Sequence, residues 1–181
     1  MKRIFASLLC IAMLLSLAGC SAAIPKDNEP IPGVRTVTVA QKGKTEYTIV
    51  YSSTLADDSV EKAAALYLQT ALEQMTSATF RLMDDTTPAA GPEILIGSTN
   101  RKVSQQAGAG LSRYDYRITV QSGNIAIVGG GDLAVQVAVN AFVSTYLPDY
   151  SILSEKKKKT VKISTSVDTF GSCDPQAIYG S

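Results

Sequence analysis

The sequence predicts an α+β domain: one mixed, largely antiparallel sheet of about four to six strands, with two main helices packed on one face. Three observations carry that prediction. Short runs rich in β-branched and aromatic residues, bounded by Gly, Pro, Asp and Ser, recur along the chain. Two stretches, ending near Thr76 and Leu147, repeat apolar residues at helical spacing. The order is strand, helix, two strands, hairpin, helix, final strands, which reads as a sheet layer under a helix layer.

The first residues stand apart from that domain. Lys2 and Arg3 precede an apolar run, Ile4 to Leu17, too short for a spanning helix and typical of an export signal. The run ends in Leu17-Ala18-Gly19-Cys20, which resembles the lipobox of bacterial lipoproteins. That resemblance implies cleavage before Cys20 and attachment of membrane lipid to its thiol. Several acyl chains, at about 0.8 kcal/mol per buried methylene, make such an anchor effectively permanent. Residues 1–19 are then a signal peptide, and 20–32, with three prolines, a flexible tether. Residues 33–165 form the domain, and 166–181 a C-terminal tail. The expected location is the outer face of a bacterial cell membrane.

Within the domain, Val34–Val39 alternates and predicts a strand, paired as a hairpin with Glu46–Ser52 across the turn at Gln41–Lys44. Asp57, Asp58 and Ser59 are helix-capping types. They precede Val60, Ala64, Tyr67, Ala71 and Met75, one helix face running to Thr76. Ala78–Met83 predicts a strand, Asp84–Pro92 a polar loop, and Glu93–Gly97 a buried strand. Asn100–Ala107 predicts a short helix. Tyr114–Gln121 and Asn124–Val128 flank Ser122-Gly123 and predict a two-residue hairpin. Val135, Val139, Phe142 and Tyr146 stripe a second long helix, Leu133–Leu147, stopped by Pro148. Tyr150–Leu153 and Thr160–Ser164 predict a last hairpin. The segment after Thr165 has little apolar periodicity.

Composition excludes several chemistries. The chain has no histidine, which removes Ser-His-Asp triads, Cys-His dyads and His-bearing zinc sites. No spacing of carboxylates suggests a catalytic or metal site, so none is expected. Without Lys2 and Arg3 the chain carries 15 basic and 16 acidic residues, and no basic field points to nucleic acid. With Cys10 in the signal and Cys20 lipidated, Cys173 is left as the free thiol, and no internal disulfide is expected.

Gly129, Gly131 and Ala134 fit G-x-G-x-x-[GA], the dinucleotide-binding fingerprint. Glu155 sits near where a ribose-binding acid belongs. The preceding hairpin and the short remaining chain oppose that reading. The glycines are expected instead to turn strand into helix, at positive φ or by close packing, and no cofactor is expected. Asp132 reads as the N-cap of the second helix, Asp84-Asp85 as solvated turn residues, and Asn100-Arg101 as a loop salt link or cap. Lys156–Lys159 reads as a solvated hairpin tip, with contact to anionic lipid or wall polymer as the alternative.

Four stretches together carry a family resemblance: Glu61-Lys62-Ala63-Ala64 with Tyr67-Leu68; Ile94–Arg101; Gly123–Gly129; and Phe142–Leu147. The region 45–150 resembles the N-terminal accessory domain of bacterial alpha-glucuronidases, akin to the domain that precedes the barrel in beta-hexosaminidases (hexosaminidase domain 2-like). The matched positions are structural, so no family catalytic residue carries over. The resemblance implies a non-catalytic accessory or binding domain linked to carbohydrate handling, with a glycan or cell-surface protein as partner. It also admits the N-terminal part of a larger extracytoplasmic hydrolase, because the family's catalytic barrel would come after this domain.

Overall fold

A computed structural model describes residues 35–150 and 160–174. Cys20, Glu155 and the Lys156–Lys159 run lie outside the described residues. The described residues fold into two sheets and three helices: β1 (Thr36–Gln41), β2 (Thr48–Tyr51), α1 (Val60–Thr76), β3 (Arg81–Asp84), β4 (Glu93–Ile96), α2 (Lys102–Gly108), β5 (Asp115–Gln121), β6 (Asn124–Gly129), α3 (Asp132–Tyr146), β7 (Thr160–Ser164) and β8 (Asp168–Ser172).

The main sheet has six strands in the order β3-β2-β4-β6-β5-β8, so the α+β class and mixed sheet hold. Its parallel share is larger than the sequence suggested. β2 pairs parallel with both β3 and β4, and β4 pairs parallel with β6. The connections are the reason. α1 separates β2 from β3, and α2 with β5 separates β4 from β6; a crossover of that length returns the chain parallel. Every residue of β4 is buried, as suits a central strand covered on both faces.

The β5–β6 hairpin is present as expected, with Gln121 opposite Asn124. Ser122 and Gly123 both have positive φ, 51° and 82°, the signature of a type I′ turn whose twist matches its strands. The expected hairpin between the first two strands does not form. β1 leaves the main sheet and pairs antiparallel with β7 in a separate two-stranded sheet, Thr36 opposite Ser164. Both β1 and β7 present alternating apolar residues, Val37, Val39, Val161 and Ile163, so each can pair with any matching strand. Their burial against the core selects β7 for β1. The other proposed partner of β7, Tyr150–Leu153, falls mostly outside the described residues. The aperiodic segment after Thr165 supplies the edge strand β8. Tyr116 covers Gly171 across the pair, an aromatic compensating for a missing side chain at a sheet edge.

α1 begins at Ser59, whose Oγ accepts a hydrogen bond from Lys62 N at 3.2 Å. It ends at Ser77 in the left-handed region, φ 59°. α1 and α3 share one face of the sheet. Leu68, Leu72, Phe142 and Val139 meet Ile49, Ile94, Ile96, Ile125 and Ile127 there in one core. The other residues of β6, Ala126 and Val128, face the opposite way and are covered by α2 through Ala107 and Val103. Among the described residues no helix is long and apolar enough to cross a membrane.

Candidate functional site

In open parallel sheets a ligand crevice opens at the carboxyl ends of strands whose successors run in opposite directions. Here β2 is succeeded in sequence by β3 on one side of the sheet, while β4 leads to β6 on the other. The β2 and β4 carboxyl ends therefore mark the crevice. It is filled from within. Asp85, directly after β3, places its carboxylate between the two loops and accepts from Ser53 N at 2.9 Å and Asn100 N at 2.7 Å. Asn100 Nδ2 donates back to the Asp85 carbonyl at 2.7 Å. One side chain so ties the ends of three parallel strands.

Asp85 is thus not the solvated turn residue the sequence suggested: its residue is 4% exposed. Burial works against its ionised form, but hydrogen bonds from Ser53 and Asn100 and the charge of Arg101 outweigh it and hold the carboxyl below the usual range. Arg101 extends the tie. Its Nε and Nη2 grip Glu93 in a fork, at 2.9 and 3.0 Å, and its remaining donors reach the carbonyls of Asp85 and Thr87. The expected loop salt link exists, but it is largely buried and structural.

An open cleft of about 720 Å³ lies further along the same edge, at the carboxyl end of β6, where the glycine motif leads into α3. Its lining includes Val60, Arg113, Tyr114, Asp132, Leu133 and Gln136, together with the backbone of Gly130 and Gly131. None of Gly129, Gly130 and Gly131 has positive φ, so close packing is their reason. A methyl group on Gly129 would fall 2.5 Å from Val135 N in the first turns of α3. One on Gly130 would overlap the Ser112 carbonyl, and one on Gly131 would lie 3.0 Å from the Arg113 carbonyl. Two of the three glycines therefore receive the chain's own 112–113 backbone. Ala134 is fully buried in the helix.

Asp132 is not the N-cap. Gly131 holds that position, with its carbonyl accepting from Val135 N at 3.1 Å, and no side chain caps the helix. Asp132 is the first helical residue, where its charge favours the positive end of α3. The uncapped first turn borders the cleft, with its amide donors free of side-chain acceptors.

Helical spacing set Glu61, with Glu73, on the side of α1 away from the apolar stripe, and for Glu61 the structure corrects this. It occupies the first turn of α1, turned inward, and is 7% exposed. Its carboxyl lies over Gly97, where a methyl group would fall 2.5 Å from Oε2. Gly97 closes β4 with φ +66°, so both its conformation and its bare α-carbon are used. Burial, and then the charge of Asp132, push the Glu61 carboxyl above its usual range. It has no hydrogen-bond or ion-pair partner among the described residues. Arg117 Nε is the one fully enclosed side-chain atom there without a hydrogen-bond partner, so the Glu61 oxygens still touch solvent. A charged residue in an apolar helix stripe was the available signal, since position 61 precedes Ala64, Ala65 and Leu68 at inward spacing.

A carboxyl raised on folding contributes stability that is complete below its unfolded pKa, about 4, and is lost as pH rises through the raised value. Glu61→Gln is therefore expected to raise the melting temperature at pH 7–8 and leave it unchanged near pH 3.5. Thermal melts across that range check it; a destabilised variant at neutral pH refutes the assignment.

No protein-family model matches the chain, and no curated protein matches it. Among solved structures it is similar to a family GH115 4-O-methyl-alpha-glucuronidase with specificity for decorated arabinogalactans. That match has 15% identity and a TM-score of 0.49, and covers 75% of this chain and 18% of the other. It is also similar to the Streptomyces plicatus N-acetyl-beta-hexosaminidase, with 13% identity, a TM-score of 0.44, and 74% and 23% of the two chains covered. A third is the GH20 exo beta-N-acetylglucosaminidase of Vibrio harveyi, with 14% identity, a TM-score of 0.38, and 72% and 16% covered. The chain thus spans less than a quarter of the length of these enzymes.

Proposed function

We propose that this protein is a lipid-anchored, extracytoplasmic accessory module that binds carbohydrate without cleaving it. The cleft over α3 is the observation that carries the binding half. It gathers hydrogen-bond donors (the first-turn amides, Arg113, Gln136) and acceptors (Asp132, Gln136) around the Tyr114 ring and the half-exposed Val60 and Leu133. Vicinal hydroxyls both donate and accept, and a sugar ring offers a C–H face to an aromatic, so such a lining suits them.

The non-catalytic half rests on how the acids stand. A glycosidase sets two carboxyls on opposite sides of the bond it breaks. Among the residues lining the cleft the one acid is Asp132, and Glu61 is all but enclosed. The anchor is supported by Leu17-Ala18-Gly19-Cys20 behind an apolar export run.

Two measurements test this function. Titration of the purified 21–181 protein against a glycan array is expected to give binding, with no hydrolysis of a chromogenic glycoside panel; hydrolysis refutes the accessory role. In bacterial cells, labelled palmitate is expected to enter the wild-type chain and be absent from Cys20→Ser. Equal labelling of both removes the anchor.

A further inference from the structure

We infer that β8 is a dimerisation edge: two copies of this chain join their main sheets by pairing β8 with β8 antiparallel, about a two-fold axis at Phe170. The occupant of the edge is a second copy of the chain, and the joint needs no ligand.

β8 closes one end of the main sheet and β3 the other. An edge strand offers a row of unpaired amides and carbonyls, which native proteins usually blunt with charge, Pro, a bulge or a cover. β3 follows that habit, with Arg81 and Asp84 at its ends. In the smaller sheet, β1 is bulged between Thr38 and Ala40. β8 reads Asp168-Thr169-Phe170-Gly171-Ser172, without Lys or Pro, and pairs with β5 in unbroken register. Among the described residues it has no strand on its outer side. Phe170, at its centre, is 59% exposed, the most of any large apolar side chain described.

The hydrogen-bond phase fixes which groups face out. Val120 N donates to the Val167 carbonyl at 3.1 Å, and Cys173 N to the Tyr114 carbonyl at 2.9 Å. Antiparallel bonding alternates along a strand. Val167, Thr169, Gly171 and Cys173 therefore bond inward to β5, while Asp168, Phe170 and Ser172 turn their amides and carbonyls outward. A second β8 laid antiparallel, Phe170 opposite Phe170, meets each of these with a counterpart. The joint closes about six backbone bonds over about 17 Å.

Side chains favour a second copy and set the register. The two Phe170 rings meet on one face at the axis, an aromatic cross-strand pair. Asp168 falls opposite Ser172 of the other copy, an acceptor facing a donor. Thr169 falls opposite Gly171, whose bare α-carbon lies under the Tyr116 ring, so no side chain obstructs the seam. Moving the register by two residues one way sets Asp168 against Asp174, and the other way sets it against Phe170. Like charges directly opposite repel, and an acid pressed on a ring loses water. The centred register avoids both, and Asp168 keeps its own Arg117, Nε to Oδ1 at 3.6 Å. A joint of five residues a side is smaller than a standard interface, so the dimer is weak and exchanging.

Sedimentation velocity of the 21–181 protein, which holds every described residue, is expected to show monomer and dimer in equilibrium, with a dissociation constant of about 0.1 mM. Monomer alone up to about 1 mM overturns the inference. Raising the concentration is expected to slow amide exchange at Asp168, Phe170 and Ser172 and to leave Thr169 and Gly171, already bonded to β5, unchanged. A dimer without that protection uses another surface and overturns it as well. Phe170→Lys sets like charges across the axis from an exposed position. It is expected to weaken association at least about tenfold at an unchanged melting temperature. Leu66→Lys, on the exposed side of α1, is expected to leave association unchanged; equal losses in both variants mean non-specific apolar contact and overturn the joint. In a Cys173→Ser background, Phe170→Cys is expected to form an intermolecular disulfide on mild oxidation. Ser172→Cys is not, because its two copies stand about 14 Å apart. Crosslinking of Ser172→Cys as fast as that of Phe170→Cys overturns the register.

Discussion

Arg101→Ala is expected to cost the domain about 3–5 kcal/mol, the largest effect of any single polar substitution here. The loss comes from the groups that the side chain leaves behind. The Glu93 side chain is 7% exposed and stands on the central strand β4, where its carboxylate receives both teeth of the guanidinium fork. Removing the fork strands a buried charge, takes the arginine donor from the Thr87 carbonyl, and leaves the Asp85 carbonyl to Asn100. Urea unfolding should show the drop as a lower midpoint at unchanged slope. Arg101→Lys should fall between, because an ammonium restores charge without the planar fork. A double replacement, Arg101→Met with Glu93→Leu, should recover most of the loss, since no charge is then left unpaired. Equal losses for the single and double variants would mean that packing rather than charge pairing is at stake.

The second large effect is expected in the apolar core. Phe142 is fully buried one turn before the end of α3, its ring centroid 4.9 Å from that of Tyr146. Phe142→Ala should cost about 3–5 kcal/mol, the transfer of a large ring plus the cavity it leaves between helix and sheet. With a total stability of about 5–15 kcal/mol expected for such a domain, that change approaches unfolding. Leu66→Ala provides the contrast. Leu66 is 54% exposed on the outer side of α1, and its loss should stay within about 0.5 kcal/mol.

Periodicity located the two long helices and most strands, because burial imposes it directly: Leu68, Leu72 and Phe142 all lie where the apolar stripes put them. Partner choice was not legible. The pattern of β1 says that one face is buried but not which strand lies beside it, and β7 stands more than a hundred residues away. The edge strand β8 escaped notice because its residues are mostly exposed and carry no alternation.

The glycine motif was legible as a corner between strand and helix. Its cause lay in a backbone approach by Ser112 and Arg113 that no local pattern encodes. Asp85 and Glu61 were harder still. A carboxylate that ties three strands and one left unpaired over Gly97 look alike in sequence, since both are acids next to apolar runs.

The pairing of β1 with β7 has a consequence for synthesis. β1 leaves the ribosome first of all the strands, yet the residues it pairs with emerge about 120 positions later. At ordinary elongation rates of about 5–20 residues per second, Val37 and Val39 wait roughly 6–24 s for Val161 and Ile163. Until then the nascent chain holds an open edge and an uncovered core. A domain closed by its last strands stays unfinished through most of translation, which is the state in which a chain can still be threaded through a membrane channel.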